Sequence, residues 1–180
     1  MDALRRAGIQ AVLTGGACAA IHSGGDYHSE DMDVIIQSSP SRRALDAAMA
    51  GIGFRRILDR FEHPRSTFFV EFLRGPLSIG DDVEIVPTER RVAGVSVRIL
   101  SPTDSCRDRL VAFYHWRDRQ SLAAALSIAL RNRIDLRKIG AWSDREGARA
   151  GFEEFTRELK AARRSRRRPT GPSPRASSRP

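Results

Sequence analysis

A chain of 180 residues with 31 basic against 22 acidic side chains carries a formal charge of +9. It is long enough to bury a core without disulfide or metal staples, and no run of about eighteen apolar residues offers a membrane span. Cys18 and Cys106 stand alone, with no C-x-x-C and no even framework, which excludes a disulfide scaffold and suits a reducing cytosol. The opening MDALRRAGIQ lacks an apolar signal region and a cleavage pattern, so the expectation is a cytoplasmic protein, neither exported nor membrane-spanning. The charge is lopsided. Eight of the basic residues and none of the acidic ones fall from Lys160 to Pro180, which leaves 23 basic against 22 acidic in a nearly neutral body.

Met1 to Ala7 reads as the last turns of a helix, and Ile9 to Leu13 as a first strand. Ala17 to His22 follows as a short helix, then a turn at Gly24-Gly25 and a strand over Asp31 to Gln37. Pro40 opens a helix whose apolar positions Leu45, Ala48, Met49 and Ile52 recur at helical spacing, ending at Gly51 or Gly53. Phe54 to Leu58, Thr67 to Leu73, Val83 to Val86 and Val95 to Leu100 are strand candidates, punctuated at Gly75-Pro76, Gly80-Asp81 and Ala93-Gly94. Ser101-Pro102-Thr103-Asp104 supplies an N-cap serine, a proline at the first helical position and an acid at the third. The chain then reads as helical for about 60 residues, with Trp116 and Trp142 expected to pack between helices. This order of elements predicts an α+β fold: a mixed sheet covered by helices over residues 1–100 and a small helical bundle over 101–160. Residues 161–180, rich in Arg, Pro and Ser, read as a disordered tail.

The chemistry concentrates between Val12 and Ile36. An apolar strand runs into Gly15-Gly16, and an Asp-x-Asp follows on the next strand at Asp31 and Asp33. A strand alternates its side chains, so Asp31 and Asp33 share one face while Met32, Val34 and Ile36 fill the other. Two crowded carboxylates need a cation, and Mg²⁺ is the hard ion held by one or two carboxylates together with substrate phosphates. Gly15 and Gly16 let backbone approach a phosphate, and the helix beginning after them at Ala17 presents N–H groups to it. The competing reading is that Asp33 pairs with an arginine inside the sheet, because an unpaired charge among Met32, Val34, Ile35 and Ile36 is costly to bury.

The spelling Thr14-Gly15-Gly16 with Asp31-Met32-Asp33-Val34 resembles the nucleotidyltransferase superfamily, the polymerase-β-like fold, with a polar Thr14 in a slot the family fills with an apolar residue and a long spacer between glycines and acids. Within it, GGACAAIHSGGDYHSEDMDV looks most like small bacterial AbiEii-type proteins of toxin-antitoxin and phage-defence systems, the similarity of layout running from about Ile9 to Gly147. The resemblance implies a nucleoside triphosphate as substrate and two Mg²⁺ ions about 4 Å apart, one activating an acceptor hydroxyl and the other steadying the leaving pyrophosphate. It assigns Asp31 and Asp33 to the metals, Gly15, Gly16 and Ala17 to the triphosphate, and a third carboxylate to a neighbouring strand. Glu71, an acid alone in the apolar run Phe68 to Leu73, is the first choice for that carboxylate; Asp82 and Glu84 in the run after Gly80 are its competitors. A basic residue near Arg109 faces the nucleotide in such proteins, although Asp/Arg clusters on helices are commonly exposed ion-pair networks. The tail could attract RNA or DNA through phosphate neutralisation, but no aromatic residues interleave its arginines for stacking.

The function expected is transfer of a nucleoside monophosphate from an NTP to a hydroxyl on a protein, RNA or small molecule. The rival is a chain that keeps the fold without catalysis and acts as a binding protein or antitoxin-like regulator with a protein partner, motivated by Thr14 and the long spacer.

Overall fold

The structure, a computed structural model, describes residues 1–167. In chain order the elements are α1 (Asp2–Arg6), β1 (Ala11–Leu13), α2 (Gly15–His22), β2 (Asp31–Ile36), α3 (Arg42–Ala50), β3 (Arg55–Ile57), β4 (Arg60–Glu62), β5 (Phe69–Arg74), β6 (Thr88–Val92), β7 (Val95–Ile99), α4 (Pro102–Trp116), α5 (Arg119–Arg131), α6 (Leu136–Arg145) and α7 (Arg149–Arg167). Among the described residues, no helix is long and apolar enough to cross a membrane.

The seven strands form one mixed sheet in the order β3-β4-β5-β2-β1-β7-β6. β2 pairs antiparallel with β1 and parallel with β5, and β1 pairs parallel with β7. The outer strands are antiparallel hairpin partners. Period-two alternation gives β2 two chemistries. Met32, Val34 and Ile36 join Val70 and Phe72 of β5 in an apolar layer with Leu4 and Met49 of α1 and α3. Asp31 and Asp33 turn toward the opposite face, where α2 packs on β2 and α4 packs on α2. The expected α+β class and the helical C-terminal part are therefore what the chain forms.

The helices begin where their caps allow. Ser41 accepts from the Ala44 N–H at 3.1 Å, so α3 starts at Arg42 and Pro40 lies outside it, a correction to the proline-first reading. Ser101 caps α4 through the Asp104 N–H at 3.1 Å with Pro102 in the first turn, as the sequence predicts. α2 opens at Gly15, two residues earlier than expected.

Four segments differ from the sequence reading. Val83 to Val86 forms no strand, because the preceding Asp82 is drawn to a buried arginine and Val83 and Val86 face solvent. Thr88–Val92 and Arg60–Glu62 are strands despite their polar composition, since each takes its ladder from an apolar neighbour, β7 and β5 respectively. Helix α7 continues through Arg167, past the boundary set at Lys160, with Arg163 donating to the Ala129 carbonyl at 3.3 Å. The remainder of the proposed disordered tail lies outside the described residues.

The two tryptophans part company. Trp142 is 1% exposed, stacks with Tyr114 and donates to the Ile79 carbonyl at 3.3 Å. Trp116, expected to pack likewise, is 75% exposed.

Candidate active site

Parallel pairing of β2 with β5 sets Asp33 directly beside Glu71, and Asp31 beside Phe69. Residues in register on adjacent strands project to the same side, so three carboxylates share one face of the sheet. The strand-to-helix turn at Gly15 closes against this face. Gly15 has φ +63°, and a Cβ there would collide with the Asp33 carboxylate; a Cβ on Gly16 would collide with the Ser29 hydroxyl. Both glycines are thus required by close approach, Gly15 by its left-handed backbone as well.

The polar Thr14 in the apolar slot has a local use. Its N–H and its hydroxyl both donate to the Asp33 carbonyl, at 2.9 and 3.3 Å, tying the start of α2 to the acid-bearing strand. The long spacer folds back over the site. Ser29 Oγ donates to Asp31 at 2.7 Å, Tyr27 lies over Gly16, and Asp26 is gripped by both ends of the Arg131 guanidinium at 2.7 Å.

A cavity of ≈ 470 Å³ opens in front of these groups, lined by Thr14, Gly15, Asp33, Arg74, Asp108 and Arg109 among others. Arg74 and Pro76 also border a second cavity of ≈ 400 Å³ beside Gln37, Ser38 and Ser39. Arg74 makes no ion pair among the described residues, whereas Arg109 donates twice to Asp108, at 2.8 and 3.1 Å. Burial works against the Arg109 charge, but Asp108, Tyr27 and Asp33 outweigh it and hold its pKa above the ordinary value.

Among the described residues Asp33 has no arginine partner, and Arg109 pairs with Asp108, so the competing reading of an internal ion pair is not what forms. Burial, then the Asp31 charge, push its carboxyl up to about 6; Asp108 and Glu71 add to this while Arg109 opposes it. Such a group is short of positive charge. Among the described residues no three His, Cys, Asp or Glu side chains converge closely enough to hold a metal ion by themselves. The donor set still suits Mg²⁺, which takes one or two carboxylates and completes its shell with water and substrate phosphates.

The rival acids are elsewhere. Asp82 is held by Arg107, which is fully buried, also bonds Asp104 at 2.9 Å and stacks over Trp142. Burial raises the Asp82 carboxyl, yet the Arg107 bond, the Glu84 N–H and the charges of Arg107 and Lys138 together outweigh it and keep the group below the usual carboxylate range. Glu84 is exposed. Of the expected site residues, then, Gly15, Asp33 and Arg109 line one cavity, Asp31 and Glu71 flank Asp33, and Gly16 and Ala17 form the buried first turn of α2. Sequence reasoning missed Ser29, Arg74 and Asp108; only Asp108 carried a signal, its adjacency to Arg109.

The chain has a nucleotidyltransferase-like fold. An antigenic nucleotidyltransferase-like protein from Paracoccidioides brasiliensis superposes with a TM-score of 0.54 at 18% identity, over 71% of this chain and 70% of its own. The antibiotic-resistance factor ANT(2'')-Ia superposes in its solution structure with a TM-score of 0.52 at 17% identity, over 91% of this chain and 92% of its own. Its crystal structure in complex with adenylyl-2''-tobramycin gives 0.51 at 17%, over 85% and 92%. At these identities the likeness is one of fold. No protein-family model and no curated protein matches the chain by sequence.

Proposed function

We propose that the protein is a Mg²⁺-dependent nucleotidyltransferase that moves a nucleoside monophosphate from an NTP to an acceptor hydroxyl on a protein, RNA or small molecule. The observation that carries this reading is the placement of Asp33 in register with Glu71 while its carboxylate presses on the backbone of Gly15. Phosphates seated at Gly15 and the first turn of α2 meet backbone N–H groups and the positive end of the helix. Arg109 neutralises phosphate charge from the facing helix, and Arg74, without an ion pair among the described residues, can meet a second anionic group at the mouth of the adjoining cavity. The acceptor oxygen attacks the α-phosphorus, its bond to the bridging oxygen breaks, pyrophosphate leaves, and Glu71 takes the hydroxyl proton. Asp31 and Asp33, with Glu71 beside Asp33, are the carboxylates that would hold Mg²⁺ together with the substrate phosphates, and the ion would supply the charge neutralisation this step needs.

Incubation of the purified protein with labelled NTPs, Mg²⁺ and a panel of hydroxyl acceptors tests the reading. The neighbour bound to adenylylated tobramycin makes ATP the first donor and an aminoglycoside one of the acceptors to try. Labelled product that disappears in Asp31→Ala and Asp33→Ala is the expected result; no product and no metal-dependent NTP binding would overturn it.

A second reading is favoured by the carboxylates that approach without converging on an ion: a catalytically silent nucleotidyltransferase fold acting as a binding protein or antitoxin-like regulator. The motif spelling from Gly15 to Val34 extends either reading to AbiEii-type toxin-antitoxin proteins and to a protein partner of that kind. A biological effect that survives Asp31→Ala and Asp33→Ala but is lost on changing surface residues would select it.

A further inference from the structure

Helix α4 overhangs the start of α2. The two run in opposite directions: His22, at the end of α2, bonds the Leu100 carbonyl just before α4 at 2.8 Å, and Cys18, midway along α2, bonds Ser105 at 3.4 Å. Arg109 has reached the level of Gly15, with which it lines the cavity. α2 begins there, but α4 continues past it for seven more residues to Trp116, about 10 Å at 1.5 Å per residue. Seven residues also fall only about 20° short of two full turns, so Trp116 leaves α4 in nearly the direction of Arg109.

Trp116 borders the core-facing stripe. Cys106, Leu110 and Phe113 on it are fully buried, Phe113 at 0% exposure, whereas Trp116 three residues later is 75% exposed. The core beneath the helix stops before the helix does. What lies uncovered is an indole beyond the cavity that holds Arg109 and Gly15, with the His115 ring 6.0 Å from it. An exposed tryptophan offers a broad π-face at low entropic cost for ordering.

We infer that Trp116 is the stacking platform for the base of the nucleotide whose phosphates lie at Gly15. The inference rests on the nucleotide reading given above. A nucleoside triphosphate is a single ligand with phosphates at one end and an aromatic ring at the other, and Arg109, which lines the cavity, and Trp116, about 10 Å further along, leave α4 in nearly the same direction. Stacking on a π-face does not depend on base identity, so the site binds purine and pyrimidine triphosphates with little discrimination.

Intrinsic fluorescence tests this directly, because the chain has two tryptophans and Trp142 is buried. ATP with Mg²⁺ is titrated into the full chain, with equilibrium dialysis of labelled ATP in parallel. The expected results are quenching of the wild-type emission by ATP and not by tripolyphosphate, and no quenching in Trp116→Phe. Trp116→Ala is expected to bind ATP about 5- to 150-fold more weakly at an unchanged melting temperature. ATP bound by dialysis with unaltered emission, equal quenching by tripolyphosphate, or wild-type affinity in Trp116→Ala overturns the inference and leaves the nucleotide reading standing. Absence of ATP binding to the wild type overturns both.

Discussion

The Asp33 carboxylate rests against the α-carbon of Gly15 with no room for a side chain between them. Gly15→Ala therefore acts twice, by straining a backbone at φ +63° and by pushing the acid out of its register with Glu71. The strain costs about 1–2 kcal/mol, and displacement of the acid by about an ångström costs about a hundredfold in transfer rate. Circular dichroism should show the fold retained at a lower melting temperature, with transfer nearly lost.

Asp33 also opposes folding. With the carboxyl at about 6 in the folded chain against 3.8 when free, the native state binds its proton more tightly, so stability falls as pH rises from about 4 to 6 and the cost is complete above that. Asp33→Asn should melt higher than the wild type at pH 7.5, by about 1–2 kcal/mol after allowance for a half-exposed group, with the difference gone by pH 4. Mg²⁺ should raise the melting temperature of the wild type and not of the variant. Thermal denaturation at several pH values, with and without the ion, measures both effects.

The third carboxylate can be assigned by contrast. Glu71→Gln should abolish transfer with little change in melting temperature. Asp82→Asn should do the reverse, because it strips the buried Arg107 of a partner, and loss of one member of such a pair costs about 3–5 kcal/mol. Activity lost in folded Asp82→Asn and kept in Glu71→Gln would move the third acid to Asp82.

His22 gives the fold a lower limit in pH. Arg90 donates to its Nδ1 at 2.7 Å, so the ring is neutral with its proton on Nε2, which donates to the Leu100 carbonyl. Burial, aided by the Arg90 charge, holds its pKa below the ordinary 6.5 although the Leu100 bond pulls the other way. The unfolded chain thus takes up the proton first, and stability falls as pH drops below 6.5. His22→Gln should flatten this part of the stability curve, as urea titrations between pH 5 and 8 will show.

Much of the candidate site's layout was legible because its signals are local. A period of two placed Asp31 and Asp33 on one face, and an acid isolated among Phe68, Phe69, Val70 and Phe72 marked Glu71. Parallel register is a long-range property, so no pattern could say that Glu71 would pair with Asp33 instead of sliding to Asp31. Arg107 and Arg109 are alike in sequence, yet one is buried against Asp82 and the other faces the cavity; 200° of helical rotation separates them. Arg60–Glu62 and Thr88–Val92 gave no strand signal because their partners, and not their own side chains, supply the reason to extend. Trp116 misled for a related cause: it borders an apolar stripe, and only the tertiary structure reveals that the core has run out.

β2 is the fourth of seven strands, with three on either side. Fraying begins at unpaired borders and works inward, so both β3 and β6 can detach while the ladder holding Asp31 and Asp33 stays closed. Amide exchange should accordingly be slowest at Asp33 and Val34, and the acids should be the last part of the molecule to lose their alignment as it is heated.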